Sequence, residues 1–165
     1  MSNTFEALVV AAFGRHLEVR DSAGERHAAR PFGRKLSLVC GDHVRCERDP
    51  GNQELHIVEL LARSNALQRS NARGGSEAVV ANISLLVTVL APLPEPDPFM
   101  IDRYLAAAAS GGIAALLVLN KTDLGIDETL AALLEGWKSL GYTVLHCAAR
   151  ESSGIEQLAA RLPEH

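Results

Sequence analysis

The chain is short of cysteine, of aromatic residues and of long apolar runs. It has three cysteines, an odd number, so a framework of paired disulfides is not expected, and a reducing compartment, the cytoplasm, is. No apolar run approaches the roughly 20 residues that span a bilayer. The first residues, Met1-Ser2-Asn3-Thr4-Phe5-Glu6, lack the positive charge of a secretory signal. Aromatics amount to four Phe, two Tyr and one Trp. There is no G-x-G-x-x-G, which argues against a dinucleotide enzyme, and no G-x-x-x-x-G-K-[ST], the loop that cradles phosphates. Gly33-Arg34-Lys35-Leu36-Ser37 lacks that spacing, and Asp21-Ser22-Ala23-Gly24 fits D-x-x-G but reads as a turn. No Ser-His-Asp or Cys-His grouping stands out.

What remains is substantial. The 165 residues suffice for one ordinary domain or two small ones, and 47% hydrophobic content supports a real core. The net charge of -4 is unevenly spread. Up to Arg73 there are 11 Lys and Arg against 9 Asp and Glu; from Gly74 onward there are 5 against 11. The N-terminal part is therefore the better partner for a polyanion.

The most informative stretch is Ile113 to Leu124, I-A-A-L-L-V-L-N-K-T-D-L. Ile113–Leu119 shows no polar alternation, as expected of a parallel strand buried on both faces. Polar residues just past the carboxyl end of such a strand sit where open α/β sheets bind ligands. An ionised Asp123 is a pure acceptor and can take two parallel N–H donors from one ligand edge. Guanine offers that edge, its ring N1–H beside its exocyclic amino group. Adenine does not, and would leave the carboxylate unpaired. Asn120 can bind a ring acceptor or tie the loop to its neighbours, and Lys121 can lay its stem over the base face. Asn120-Lys121-Thr122-Asp123 is thus read as the N-K-x-D motif of guanine recognition.

Taken in order, residues 1–62 read as short strands separated by turns. Strands are expected at Ala7–Ala12, His16–Arg20, Glu25–Ala29, Leu36–Val39, His43–Glu47 and Gln53–Leu60. This spacing predicts a small antiparallel β-barrel of OB type. Arg15, Arg30, Arg34, Lys35 and Arg45 are its candidate RNA-binding residues. With only Phe5, Phe13 and Phe32 available, backbone contact is favoured over base stacking. Residues 63–77, R-S-N-A-L-Q-R-S-N-A-R-G-G-S-E, read as a linker. Residues 78–165 read as a βαβαβα half-domain: a strand near Ile83–Leu90, a helix at Phe99–Ser110, the Ile113–Leu119 strand, a helix at Asp127–Leu140, a strand at Tyr142–Cys147 and a helix at Ile155–Leu162. Cys40, His43 and Cys46 have a C-x-x-H-x-x-C spacing, but alternation spreads them over both faces of the barrel wall, so they read as core and surface residues rather than zinc ligands.

A β-barrel, then Arg63-Ser64-Asn65-Ala66-Leu67-Gln68-Arg69, Ala81-Asn82-Ile83, Ile101-Asp102-Arg103-Tyr104-Leu105 and Leu117 to Leu124 with its N-K-T-D, resembles the ribosome-small-subunit-dependent GTPases, the RsgA or YjeQ family of circularly permuted GTPases. The resemblance covers essentially the whole chain. It implies a GTP-binding and GTP-hydrolysing role in late maturation of the small (30S) ribosomal subunit, with the barrel on 16S rRNA. It assigns Asn120, Lys121 and Asp123 to the base, with the second base loop at Cys147-Ala148-Ala149, where alanine stands in place of the usual serine. It also places Ser84 where the family usually has Asp.

The phosphate loop and the C-terminal zinc domain of that family have no counterpart in these residues. Recognition of the guanine part of GTP or GDP, without competent hydrolysis, is therefore expected of this chain, with Mg²⁺ and Zn²⁺ belonging to the full-length family protein. The strand at Ile83–Leu90 would be an open edge, and self-association through it is expected. The alternative reading is an RNA- or ribosome-binding OB module whose α/β half is structural.

Overall fold

The computed structural model describes residues 4–14, 16–33, 36–71 and 74–162. The chain divides into two compact units at Ile83/Ser84. Each is taken by itself.

The first unit holds β1 (Thr4–Phe13), β2 (His16–Asp21), β3 (Arg26–Pro31), β4 (His43–Arg48) and β5 (Leu55–Leu60), closed into a barrel in the order β1-β2-β3-β5-β4. β3 and β5 run parallel and the other pairs antiparallel, the Greek-key order of an OB-fold. An irregularity between Val9 and Ala11 lets ten-residue β1 bend and pair with both β2 and β4. Alternation fills the interior with Val9, Leu17, Val19, Val44, Cys46 and Ile57. Burial pushes the Cys46 thiol up to about 11.

Two expectations change here. Leu36–Val39 is not a strand. Leu36 and Leu38 pack against the barrel core, and the Val39 amide donates to Asp42 Oδ2 at 2.9 Å instead of joining a ladder. Residues 63–77 are not a linker. β6 (Ala66–Ser70) and β7 (Ser76–Ala81) form an antiparallel hairpin within the first unit.

What anchors that hairpin is polar and non-local. Asp42, fully buried, receives Arg63 Nε at 2.7 Å and Nη2 at 2.9 Å. Arg63 also donates to the Ser37 carbonyl. Asn65 accepts from the Ile83 amide at 2.7 Å and donates to the Ile83 carbonyl at 2.9 Å. Asn82 donates to the Gly41 carbonyl at 2.7 Å and accepts from the Ser64 amide at 2.8 Å. Gly41 sits at φ +87°, and a Cβ there would lie 1.9 Å from the Ala81 carbonyl oxygen, so only glycine permits this approach. The left-handed turn at Asn82, φ 53°, separates β7 from the strand that follows. The apolar stretch from Ala78 to Leu90 is therefore two strands in two units.

The second unit holds β8 (Leu85–Leu90), α1 (Pro98–Ser110), β9 (Ala114–Leu119), α2 (Glu128–Ser139), β10 (Thr143–His146) and α3 (Ile155–Ala159). The sheet order is β10-β9-β8, all parallel. Asp97 caps α1 through the Phe99 and Met100 amides, with Pro98 at the first turn; Asp127 caps α2 through the Leu130 amide. Leu117 and Leu119 of β9 pack with Leu105, Leu130, Leu134 and Trp137, while Leu116 and Val118 pack on the other face with Cys147, Leu145 and Leu158. Trp137 Nε1 donates to Asp102 Oδ1 at 2.8 Å, tying α1 to α2. α3 is shorter than the sequence suggests, ending at Ala159. β8 pairs with β9 alone, so its other side is an open edge among the described residues, and Val89 is 62% exposed. No helix is long and apolar enough to cross a membrane.

Removing one partner of a buried ion pair strands the other in a low-dielectric site. Arg63→Ala is expected to destabilise the barrel unit by about 3–5 kcal/mol. Urea unfolding followed by far-UV circular dichroism checks this; a shift under about 1 kcal/mol would show that the Asp42–Arg63 pair is not what holds the hairpin.

Candidate guanine-recognition site

β9 delivers its last residue, Leu119, fully buried, and the chain turns polar at the next position. The Asn120 amide donates to the Leu90 carbonyl at 2.8 Å, which holds the start of the loop over the end of β8. Lys121 adopts φ 58°, and Thr122–Leu124 makes a single 3-10 turn. That kink leaves Lys121 and Asp123 exposed, while Asn120 is half-buried. The Asp123 side chain has no hydrogen-bond or ion-pair partner among the described residues, so its acceptor oxygens face solvent.

The second loop, Cys147-Ala148-Ala149, follows β10 and is bound to the first by four hydrogen bonds. The Cys147 amide donates to the Leu119 carbonyl at 2.8 Å. The Thr122 amide and hydroxyl both reach the Cys147 carbonyl at 3.1 Å. Asn120 Oδ1 accepts from the Ala149 amide at 3.1 Å. Behind this loop, Gly154 stands at φ +74°, and a Cβ there would come 2.2 Å from the His146 carbonyl oxygen. The Cys147 thiol donates to the Gly154 carbonyl at 3.4 Å, and the Ala148 amide to the Ser153 carbonyl at 3.0 Å.

The six residues read from sequence, Asn120, Lys121, Asp123, Cys147, Ala148 and Ala149, thus lie on two joined loops at the carboxyl end of the parallel strands. Their roles divide. Cys147 and Ala148 are buried and hold the loop. Of the three amides in this loop, only that of Ala149 belongs to an exposed residue, and it donates to Asn120. Gly154 and Thr122 were not singled out by sequence. The local signal for Gly154 was its place just before a helix; for Thr122 it was the variable position of the motif. A cleft of about 380 Å³ opens beside the first loop, lined by Thr88, Leu90, Pro94, Met100, Asn120 and Lys121 among others. Asp123 does not line it.

The RNA-binding candidates fare differently. Arg15, Arg34 and Lys35 lie outside the described residues. Arg30 is exposed, 4.0 Å from Glu54. Arg45 pairs with Glu59 and Glu6, two carboxylates that offset its charge. Arg30 lines a cleft of about 440 Å³ with His16, Arg26, His27 and Arg48, residues the sequence reading did not select. Period-two alternation would have put Arg26 on the same face as Arg30. Of the C-x-x-H-x-x-C residues, Cys46 is in the core, Cys40 donates to the Val10 carbonyl and His43 is exposed. Among the described residues no three His, Cys, Asp or Glu side chains converge to hold a metal.

A closed OB barrel followed by a parallel sheet with a polar loop pair at its strand ends defines a class of barrel-plus-α/β protein whose loop pair lies where open α/β sheets bind ligands. Comparison with known proteins narrows that class. The RsgA GTPase family model matches residues 60–165. The small ribosomal subunit biogenesis GTPase RsgA of Ectopseudomonas mendocina is 45% identical, over 96% of this chain and 48% of its own. The protein of the same name from Pseudomonas putida is 42% identical, with the same shares covered. The crystal structure of YjeQ from Thermotoga maritima matches with a TM-score of 0.73 at 25% identity, over 96% of this chain and 57% of that one. YloQ, described as a circularly permuted GTPase, shares the fold with a TM-score of 0.65 at 22% identity. The chain belongs to the RsgA GTPase family, and it spans about half the length of the curated relatives it matches.

Proposed function

We propose that this chain is the guanine-recognising and RNA-contacting part of a GTPase that acts in small ribosomal subunit biogenesis, in the cytoplasm. The observation that carries the nucleotide half is the loop pair held by Asn120, with an exposed, unpartnered Asp123 carboxylate beside it. In this reading Asp123 accepts the N1–H and exocyclic amino donors of guanine. Lys121 covers one base face with its methylene stem. The Ala149 amide donates to the guanine carbonyl oxygen. The curated relatives are named for GTPase activity in small-subunit biogenesis, which supports carrying the same role here.

Binding and hydrolysis separate on chemical grounds. Phosphoryl transfer depends on positioning the phosphates and Mg²⁺, and these residues contain no phosphate-cradling glycine loop. In this reading the 165 residues recognise the base and do not by themselves hydrolyse GTP. The barrel half docks on 16S rRNA through its arginine-lined cleft.

Titration of fluorescent GDP and ADP into the chain tests the first half. GDP is expected to bind and ADP not. Asp123→Ala removes the acceptor pair and is expected to cost tenfold or more in affinity; Asn120→Ala, which frees the second loop, weakens binding less. Equal binding of GDP by the chain and Asp123→Ala sinks the assignment. The open edge of β8 further predicts that the isolated chain self-associates, with affinity falling when Val89→Lys places a charge there. Sedimentation equilibrium showing a clean monomer at high concentration would remove that proposal.

A further inference from the structure

The tripeptide Phe-Gly-Arg occurs twice, at Phe13-Gly14-Arg15 and Phe32-Gly33-Arg34. Each phenylalanine sits at the end of a barrel strand: Phe13 closes β1 and Phe32 follows the last residue of β3. Each precedes a glycine in the left-handed region, Gly14 at φ 66° and Gly33 at φ 86°. Both rings are displayed rather than packed, Phe13 at 74% exposure and Phe32 at 69%. Phe32 makes an edge contact with His56, at 5.8 Å between ring centres. Phe5, by contrast, is half-buried and packs against the core.

The barrel register brings the two tips to one rim. Phe13 is opposite His16 on β2. His16 precedes Leu17, which is opposite Ala29, so the β2–β3 ladder continues toward Arg30. Phe32 lies two residues past Arg30. The tips are thus about two strand spacings, roughly 10 Å, apart across the sheet and offset by two residues, roughly 7 Å, along it. His16 and Arg30 also line the 440 Å³ cleft with Arg26 and Arg48; Glu54 lies 4.0 Å from Arg30, and Glu18 pairs with Arg26 at 3.2 Å, an exposed pair that a phosphate can displace.

An exposed ring beside positive charge has a specific use. Unpaired bases stack on aromatic faces while their phosphates run along basic residues, and neither contact alone distinguishes nucleic acid from other partners. We propose that Phe13 and Phe32 are a pair of base-stacking tips that capture unpaired RNA bases, with the adjoining phosphates held by Arg26, Arg30 and Arg48. This rests on the RNA-docking reading above and refines it: the ligand is RNA with unpaired bases, not a regular duplex. A protein-docking patch would need apolar neighbours around the two rings. The rim instead carries His16 and Arg30, and an arginine follows each Phe-Gly pair in sequence.

The test uses the whole chain with two RNA hairpins of equal length, one with 2-aminopurine in an unpaired loop and one closed by a minimal tight loop. The chain is expected to bind the unpaired loop more tightly and to change its 2-aminopurine fluorescence. Phe13→Leu and Phe32→Leu keep an apolar side chain but lose the ring face. Each is expected to lose roughly tenfold in affinity for the unpaired loop, and the double variant to lose the fluorescence change. Affinity for the minimal-loop hairpin stays the same, and so does the melting curve, because both rings are solvent-exposed. Arg26→Gln with Arg30→Gln weakens both RNAs and flattens the salt dependence. If the leucine variants bind the unpaired loop like the parent chain, stacking is overturned while RNA docking stands. If the parent chain binds neither hairpin, both readings fall.

Discussion

The double burial of β9 is the constraint on which the second unit depends. With Leu117 and Leu119 packed under α1 and α2, and Leu116 and Val118 packed toward Leu158 and Cys147, the strand cannot slip by one residue without exchanging its two faces. That fixes where it ends, and the chain becomes polar at Asn120. The same register aligns His146 with Leu119, so β10 ends at the same level and its loop meets the first. The site is a consequence of two parallel strands stopping together. Asn120 then closes the arrangement by accepting from the Ala149 amide, which commits its side-chain oxygen to architecture; under the proposed reading, recognition then falls to Asp123 and Lys121.

The first unit solves a different problem. Its barrel core is apolar, but the hairpin β6–β7 buries only Ala81 fully. It is held by the buried Asp42 carboxylate, by two asparagines whose side chains mimic backbone pairing, and by a glycine that lets two chains approach. A buried ion pair is a poor source of net stability, but it is specific: among the described residues Arg63 is the arginine that meets Asp42, with two bonds to its carboxylate. The sequence elements Arg63-Ser64-Asn65 and Ala81-Asn82-Ile83, which carried part of the family resemblance, are the two sides of this clasp.

Much of this was legible in the amino-acid sequence because local pattern and tertiary role agree. Leu17 and Val19 alternate with His16, Glu18 and Arg20, and face the core as expected. The apolar run before Asn120 changes to polar within one residue, which marks both strand end and site. Asp97-Pro98 and Asp127 announce the two helices they cap. What escaped depends on partners distant in sequence. The stretch after Arg63 looks like a linker since its anchors lie at Asp42, Gly41 and Ile83. Leu36 and Leu38 look like a strand, but they plug the barrel. The arginine cleft arises where β5 pairs with both β3 and β4, so that Arg30 lies opposite His56 and Arg48 opposite Leu55, a closeness no local pattern encodes. The three phenylalanines of the barrel argued against base stacking by their number; the exposure of Phe13 and Phe32 is a tertiary property that a count does not carry.

The central claim is that the Asp123 carboxylate reads the ligand by its two acceptors. Asp123→Asn inverts half of that pattern, offering one acceptor and one donor, which matches xanthine, where a carbonyl replaces the exocyclic amino group of guanine. Calorimetric titration of GDP and xanthosine diphosphate into the parent chain and this variant measures the claim directly. The account predicts that preference crosses over, GDP favoured by the parent and xanthosine diphosphate by the variant. An unchanged preference for GDP in the variant would contradict it and place base recognition elsewhere.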